Sequence, residues 1–297
     1  MQRGSFQMMK SVNKSIVLNK IRINQPISRA QIAKEVKLTP PTVSSIVKEL
    51  LEEKLVLETD LGVSKGGRKP TLLEINNKHH HVIGIDIGPS NIHCILTDLS
   101  GNTIKHFSEE TTKSASETDF LHHLIKITDK IISLSNKPDA IIGIGIAMHG
   151  VVDVTTGTSL FAPNLNLKNI PIKKTLEDKF QLTVHVENDA RAMALGEAWF
   201  GKHEHPSSML VINLSNGVGA GAVVNGKLFH GHNDIAGEVG HMTIDRNGPV
   251  CECGNKGCFQ TFATGKAIVH QANTLAKDNT YTYAEEVYEG AINGEKD

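Results

Sequence analysis

Along the first fifty residues apolar side chains recur every three to four positions. Ile16, Val17 and Ile21 fall on one helical face, and a break follows at Asn24-Gln25-Pro26. Ser28 with Gln31 three residues on has the form of a capping box, predicting a second helix to about Val36. After the turn Lys37-Leu38, Thr39 fits an N-cap and Pro40 a first helical residue, where its missing N–H is harmless. In the third helix Val43, Ile46, Val47, Leu50 and Leu51 share the buried face, leaving Thr42, Ser44, Ser45 and Lys48 outward. Leu55-Val56-Leu57-Glu58 and Thr71-Leu72-Leu73-Glu74-Ile75 read as short strands joined by a glycine-rich segment, which makes a wing.

From His81 the pattern changes. It predicts strands over 81–87 and 92–98, a turn at Ser100-Gly101-Asn102 toward a third strand, and a helix over 117–134. A buried strand over 140–147, a helix over 172–180, a strand over 183–186 ending in Glu187-Asn188-Asp189 and a helix over 190–199 follow, with a last helical stretch over 283–292. The alternation predicts α/β layers, and the change of texture predicts two domains, 1–75 and 76–297.

At 297 residues, with 39% hydrophobic and 21% charged side chains, the chain is long enough to bury more than one core. Its longest apolar runs, such as 141–148, fall well short of the roughly 20 residues that span a bilayer. The N-terminus lacks the apolar core and cleavage site of a secretory signal, so a cytoplasmic protein with no membrane partner is expected.

Charge divides unevenly. Residues 1–75 hold 13 basic against 7 acidic side chains, net +6, and the remainder 18 against 25, net −7. A basic head suits a polyanion, although an unevenly charged solvated surface gives the same numbers. The small hydroxyls of Thr42, Ser44 and Ser45, with Lys48, would let the third helix lie close in a major groove, while Lys65, Arg68 and Lys69 of the wing would meet phosphates or a minor groove. A three-helix bundle for protein contacts and a flexible basic linker are the plainer alternatives.

Four cysteines are present, and Cys94, alternating within a strand, reads as a small core residue. Cys251-x-Cys253-x4-Cys258, with His241 ten residues upstream, offers three thiolates and an imidazole, a set that suits a closed, structural tetrahedral zinc site. Redox-active or merely buried cysteines would leave His241 without a part.

Five motifs stand in order: Asp86-Ile87-Gly88, Glu187-Asn188-Asp189-Ala190, Gly217-Val218-Gly219-Ala220-Gly221, Gly237-Glu238-Val239-Gly240-His241, and Cys251 to Cys258. In them the chain resembles the ROK family of repressors, open reading frames and kinases, and its head resembles the winged helix of the branch that holds xylose and N-acetylglucosamine repressors. The resemblance implies an α/β fold: an N-terminal winged helix-turn-helix, then an actin-like ATPase or ribonuclease H-like, two-lobed sugar-kinase-type domain. Because the chain stops at Asp297, the second lobe is expected to be incomplete, which leaves open whether this is a fragment.

The same resemblance implies Asn188, Asp189, Glu238 and His241 as sugar ligands, with His241 also on the metal, and Gln260 where relatives carry a glutamate. Asn188 and Asp189 also fit a strand-end turn and helix N-cap, with Asp189 as the cap. In family kinases Asp189 would be the general base and two glycine-rich loops would hold ATP. Here Asp86-Ile87-Gly88-Pro89-Ser90-Asn91 and Leu214-Ser215-Asn216-Gly217 depart from both loops, and Pro89 removes an N–H where a phosphate would sit.

A non-enzymatic reading follows, in which Asp189 is a vestigial base. The protein is expected to be a sugar-responsive repressor with operator DNA, a hexose, pentose or derived sugar and a second copy of itself as partners. A sugar kinase with an appended head, and a repressor controlled by a partner protein, are the alternatives.

Overall fold

The computed structural model describes residues 6–61, 70–111, 116–202, 207–275 and 281–294. The chain opens with α1 (Phe6–Asn24), β1 (Ile27–Ser28), α2 (Arg29–Val36), α3 (Pro40–Glu52), β2 (Val56–Leu61) and β3 (Thr71–Ile75). The first helix runs well beyond the three apolar positions that marked it. Ser28 caps α2 by accepting from Gln31 N at 3.3 Å, but Gln31 Nε2 turns to Glu35 at 2.9 Å, so only half of the expected capping box forms. Thr39 caps α3, accepting from Thr42 N at 3.4 Å.

Val17, Ile21, Ile32, Val43, Ile46, Val47 and Leu50 close the core of the head over Ile27, Val56 and Leu73 of a sheet ordered β1-β3-β2. Each such aliphatic side chain contributes about 1.5–3 kcal/mol on burial, enough to hold three short helices together.

The chain continues through β4 (His81–Ile87), β5 (Asn91–Asp98), β6 (Thr103–Glu110), α4 (Glu117–Ser133) and β7 (Ile141–Met148). Three short strands follow, β8 (Val151–Asp153), β9 (Thr158–Ala162) and β10 (Leu167–Ile170), then α5 (Ile172–Phe180), β11 (Thr183–Asn188) and α6 (Asp189–Phe200). The remainder is β12 (Ser208–Leu214), β13 (Val218–Val224), β14 (Lys227–Phe229), α7 (Gln260–Ala263), α8 (Gly265–Leu275) and α9 (Ala284–Ile292).

Two compact units divide the described chain. One holds the head with Ser90–Ile146 and Thr175–His185, and so most of a five-stranded sheet ordered β11-β7-β4-β5-β6. Within it Leu99, at the turn after β5, packs on the head's core, Leu99 N donates to Asn77 O at 3.1 Å, and His80 Nε2 meets Glu53 O at 2.8 Å. The head is therefore seated on the sheet that follows it. Cys94 is buried in β5, where burial pushes its thiol up to about 12, as expected of an inert core residue.

The other unit holds Ala147–Lys174 and the chain from Val186 on. It contains two three-stranded sheets, β10-β9-β8 and β12-β13-β14, which periodicity did not predict. β8 and β14 span three residues each, too few to show an alternation. Helix α6 lies against β13, where a Cβ on Gly221 would fall 2.4 Å from Ala194 Cβ and 2.6 Å from Ala190 O. Glycine in this motif thus permits the close approach of helix and strand.

Candidate functional site

The cysteine loop is built by its backbone. Cys251 N donates to Asn255 O at 2.7 Å and Gly254 N to Cys251 O at 2.9 Å, which folds residues 251–255 into a tight turn. Gly254 and Gly257 hold positive φ, and a Cβ on Gly257 would lie 1.5 Å from Asp245 O, so only glycine fits there. His241 closes a short 3₁₀ turn, Val239–His241, and joins the cluster through its Nδ1.

The four ligand atoms of His241, Cys251, Cys253 and Cys258 lie within 4.8 Å of one another. Cys253 and Cys258 sulfurs are 3.7 Å apart, as are Cys251 Sγ and His241 Nδ1. Thiolates held about 2.3 Å from a tetrahedral ion stand about 3.8 Å apart, so these two edges of the cluster already have about the length a metal requires. A disulfide would need sulfurs near 2.05 Å instead. A backbone hydrogen bond with Asn255 draws the exposed Cys253 thiol down to about 7, whereas burial pushes Cys258 up to about 12. A bound cation would hold all three as thiolates.

Beside the cluster lies a cavity of about 470 Å³, all of whose lining residues belong to the second unit. Asn188, Asp189, Glu238, His241 and Gln260 all line it. The cap of α6 is Asn188, not Asp189: its Oδ1 accepts from Arg191 N at 3.1 Å and its Nδ2 donates to Gly150 O at 3.0 Å. Asn188 is therefore braced inside the fold. Asp189 Oδ1 takes the N–H of Ala190 at 2.8 Å and Asn188 Nδ2 at 3.0 Å, and Oδ2 stands 3.5 Å from His149 Nδ1.

Glu238 is exposed at the start of the 3₁₀ turn, three residues before His241. Gln260 opens α7 and donates from Nε2 to Cys251 Sγ at 3.2 Å, a contact that a glutamate could not make while ionised. Asp189, Glu238 and Glu252 line the cavity, and no lysine or arginine is among its described lining residues. Ser215, Asn216 and Gly217 form a second part of the wall, with Ser215 N donating to Gly217 O at 3.0 Å.

Sequence reasoning missed His149, Phe161 and Ile235, which also line the cavity. His149 had a signal: it is the first polar residue after the apolar run of β7, at the end of a strand where α/β sheets commonly place ligands. Phe161 and Ile235 had none, since each is one apolar residue among many.

In the head, Ser44, Ser45 and Lys48 are exposed on α3, with Lys48 near Glu52 at 3.8 Å. Thr42 is half-buried, its hydroxyl bonded to that of Thr39 at 2.8 Å. Arg29 and Lys34 of α2 join Ser44 and Pro40 around a groove of about 510 Å³ and add basic charge that the sequence reading did not single out. Lys65, Arg68 and Lys69 lie outside the described residues.

A family model described as the ROK family matches residues 82–296, and one described as winged helix-turn-helix DNA-binding matches residues 17–56. A xylose repressor from Caldicellulosiruptor bescii is 39% identical over 92% of this chain and 69% of its own length. Among solved structures, a ROK family transcriptional regulator homologous to the Escherichia coli Mlc protein matches with a TM-score of 0.82 and 28% identity, over 96% of this chain and 74% of that one. A ROK family glucokinase from Streptomyces griseus, solved with glucose and AMPPNP, matches with a TM-score of 0.61 and 28% identity over 72% of each chain.

Proposed function

Because the chain belongs to the ROK family and carries a winged helix-turn-helix, we propose that it is a cytoplasmic, sugar-responsive transcriptional repressor of carbohydrate-utilisation genes. The supporting observation is the company kept by one cavity: Asp189 and Glu238 share its wall with His241 of the histidine and three-cysteine cluster. Carboxylates that accept from neighbouring hydroxyls are what a sugar requires. Three carboxylates in the wall, with no lysine or arginine among its described lining residues, favour a neutral sugar over a phosphorylated one, because the carboxylates repel a phosphate and only the imidazoles of His149 and His241 stand near to offset them. Xylose, in the name of the Caldicellulosiruptor bescii relative, is the first sugar to test.

Domain boundaries at 1–75 and 76–297 belong to the same reading. Thr42, Ser44, Ser45 and Lys48 are assigned to the DNA face, with Lys65, Arg68 and Lys69 of the wing, and a homodimer would present two heads to a palindromic operator. Asn188, Asp189, Glu238, His241 and Gln260 are assigned to the sugar. His241, Cys251, Cys253 and Cys258 would hold zinc, which supplies a closed structural cross-link and no water for chemistry. A metal on the cluster would fix the His241 imidazole at the cavity wall, and Gln260, which donates to Cys251 Sγ, would orient that ligand.

Sugar binding to the repressor and operator binding are linked, so each changes the affinity of the other by the same factor. Titration of a labelled operator with the zinc-loaded protein, with and without xylose, tests this; operator affinity unmoved by any sugar in a panel of neutral hexoses and pentoses would sink the reading.

The glucokinase likeness and the presence of Asp189 favour a second reading, an ATP-dependent sugar kinase with an appended head. Pro89 in one phosphate loop and Ser215-Asn216 in the other speak against it, since phosphoryl transfer depends on positioning. A coupled assay showing ATP-dependent sugar phosphorylation lost in Asp189→Asn would reverse the choice.

A further inference from the structure

Arg191 is 1% exposed, yet no motif singled it out. It stands in the first turn of α6, two residues after Asp189. Its Nε donates to Glu187 Oε1 at 2.7 Å, and Nη1 donates to the backbone carbonyls of Asp234 at 2.7 Å and Ala236 at 3.2 Å. Glu187 is held in turn: Oε1 accepts from Asn188 N at 2.8 Å and Oε2 meets His230 Nε2 at 2.7 Å. Every partner belongs to the second unit.

The two carbonyls lie just before Gly237-Glu238. The next carbonyl is held by β13: Ala220 N donates to Gly237 O at 2.8 Å, and a Cβ on Gly237 would fall 1.9 Å from Ala220 O. The segment carrying Glu238 is thus gripped between a guanidinium rooted in α6 and the backbone of β13. Asp234 Oδ2 adds a tie to Val154 N at 3.2 Å.

A buried arginine is a poor means of stabilising a fold. Its desolvation offsets most of what the Glu187 pair contributes, and an apolar side chain of similar size often does as well. Here Nη2 is buried with no hydrogen-bond partner among the described residues, which worsens that balance. What the planar fork does, and an apolar chain does not, is donate in fixed directions to a carboxylate on one side and to a loop backbone on the other.

We propose that Arg191 is a positioning residue that fixes Glu238 relative to Asp189 across the cavity, with Glu187 and His230 holding its guanidinium in place. The consequence for ligand binding rests on the sugar reading of that cavity. The loop order itself does not.

Two measurements on the full chain separate these. In sugar-free protein, Arg191→Met is expected to speed hydrogen exchange at the amides of Ala236, His241 and Met242 on the order of tenfold or more, leaving β12 and the amides of β13 other than Ala220, which donates to Gly237, as protected as in the wild type. Calorimetry with xylose and glucose is expected to show affinity for the bound sugar lowered on the order of tenfold to a hundredfold.

Arg191→Lys keeps the charge but not the fork, so it should fold and fall between wild type and Arg191→Met in both readouts; it carries the test if Arg191→Met does not fold. Unchanged exchange at those three amides in both variants would overturn the proposal, as would faster exchange spread evenly over the chain. Failure of the wild type to bind any sugar in the panel of neutral hexoses and pentoses would remove the sugar reading, and the exchange data would still decide the positioning role.

Discussion

Gln260 shows how one atom changes a residue's role. As an amide it donates to the Cys251 sulfur, whereas an ionised carboxylate of the same shape would set one negative charge against another. Gln260→Glu is therefore expected to weaken metal retention about tenfold to a hundredfold, the usual effect of losing a partner of a metal ligand, measured by competition with a chromogenic chelator. Asp189 differs in kind: one oxygen is committed to the start of α6 and the other faces His149. Asp189→Asn should leave the circular dichroism spectrum unchanged and reduce sugar affinity at least tenfold, because a hydrogen bond to a charged acceptor is worth about 1.5–3 kcal/mol. Unaltered affinity in that variant would take Asp189 out of the site.

At the scale of the element, α3 carries both a cap and a surface, and the two separate experimentally. Thr39→Ala removes the acceptor for Thr42 N and should lower stability by about 1 kcal/mol, seen as a reduced denaturation midpoint. Ser45→Glu changes only an exposed position, so stability should shift by no more than about 0.5 kcal/mol while operator affinity collapses through repulsion from phosphate. A Ser45→Glu protein that still bound its operator would show that this face of α3 does not meet DNA. The helix was legible in the sequence down to its N-cap because caps and 3.6-residue periodicity are local signals. The reciprocal arm of the α2 capping box was not, since Gln31 had two partners within reach and the sequence does not rank them.

For the whole molecule, the seating of the head on the sheet through Leu99 and His80 is the feature most open to test. Leu99→Asp puts a charge against the head's core and should destabilise the first unit, read as a new low-temperature transition in calorimetry. Removing the metal with a chelator should release the 251–258 loop, faster exchange appearing there while the head stays protected, because the two belong to different compact units. The one histidine and three cysteines of the cluster, the order of the motifs and the basic head were all readable from residue type and spacing. The small strands of the second unit were not, and neither was the packing role of Gly221, which depends on a helix some thirty positions away in the chain.

Residue type and spacing determined the helices of the head, the α/β alternation, the grouping of one histidine with three cysteines, and the family. Each element or motif is written within a few residues, where covalent geometry limits what the backbone and side chains can do, and the order of the motifs along the chain adds the family. Only the folded chain decided that Gln260 serves Cys251 and that Arg191 reaches carbonyls 43 and 45 residues further on. Contacts at that range depend on how whole elements come together, and no local pattern of apolar and polar positions records the outcome.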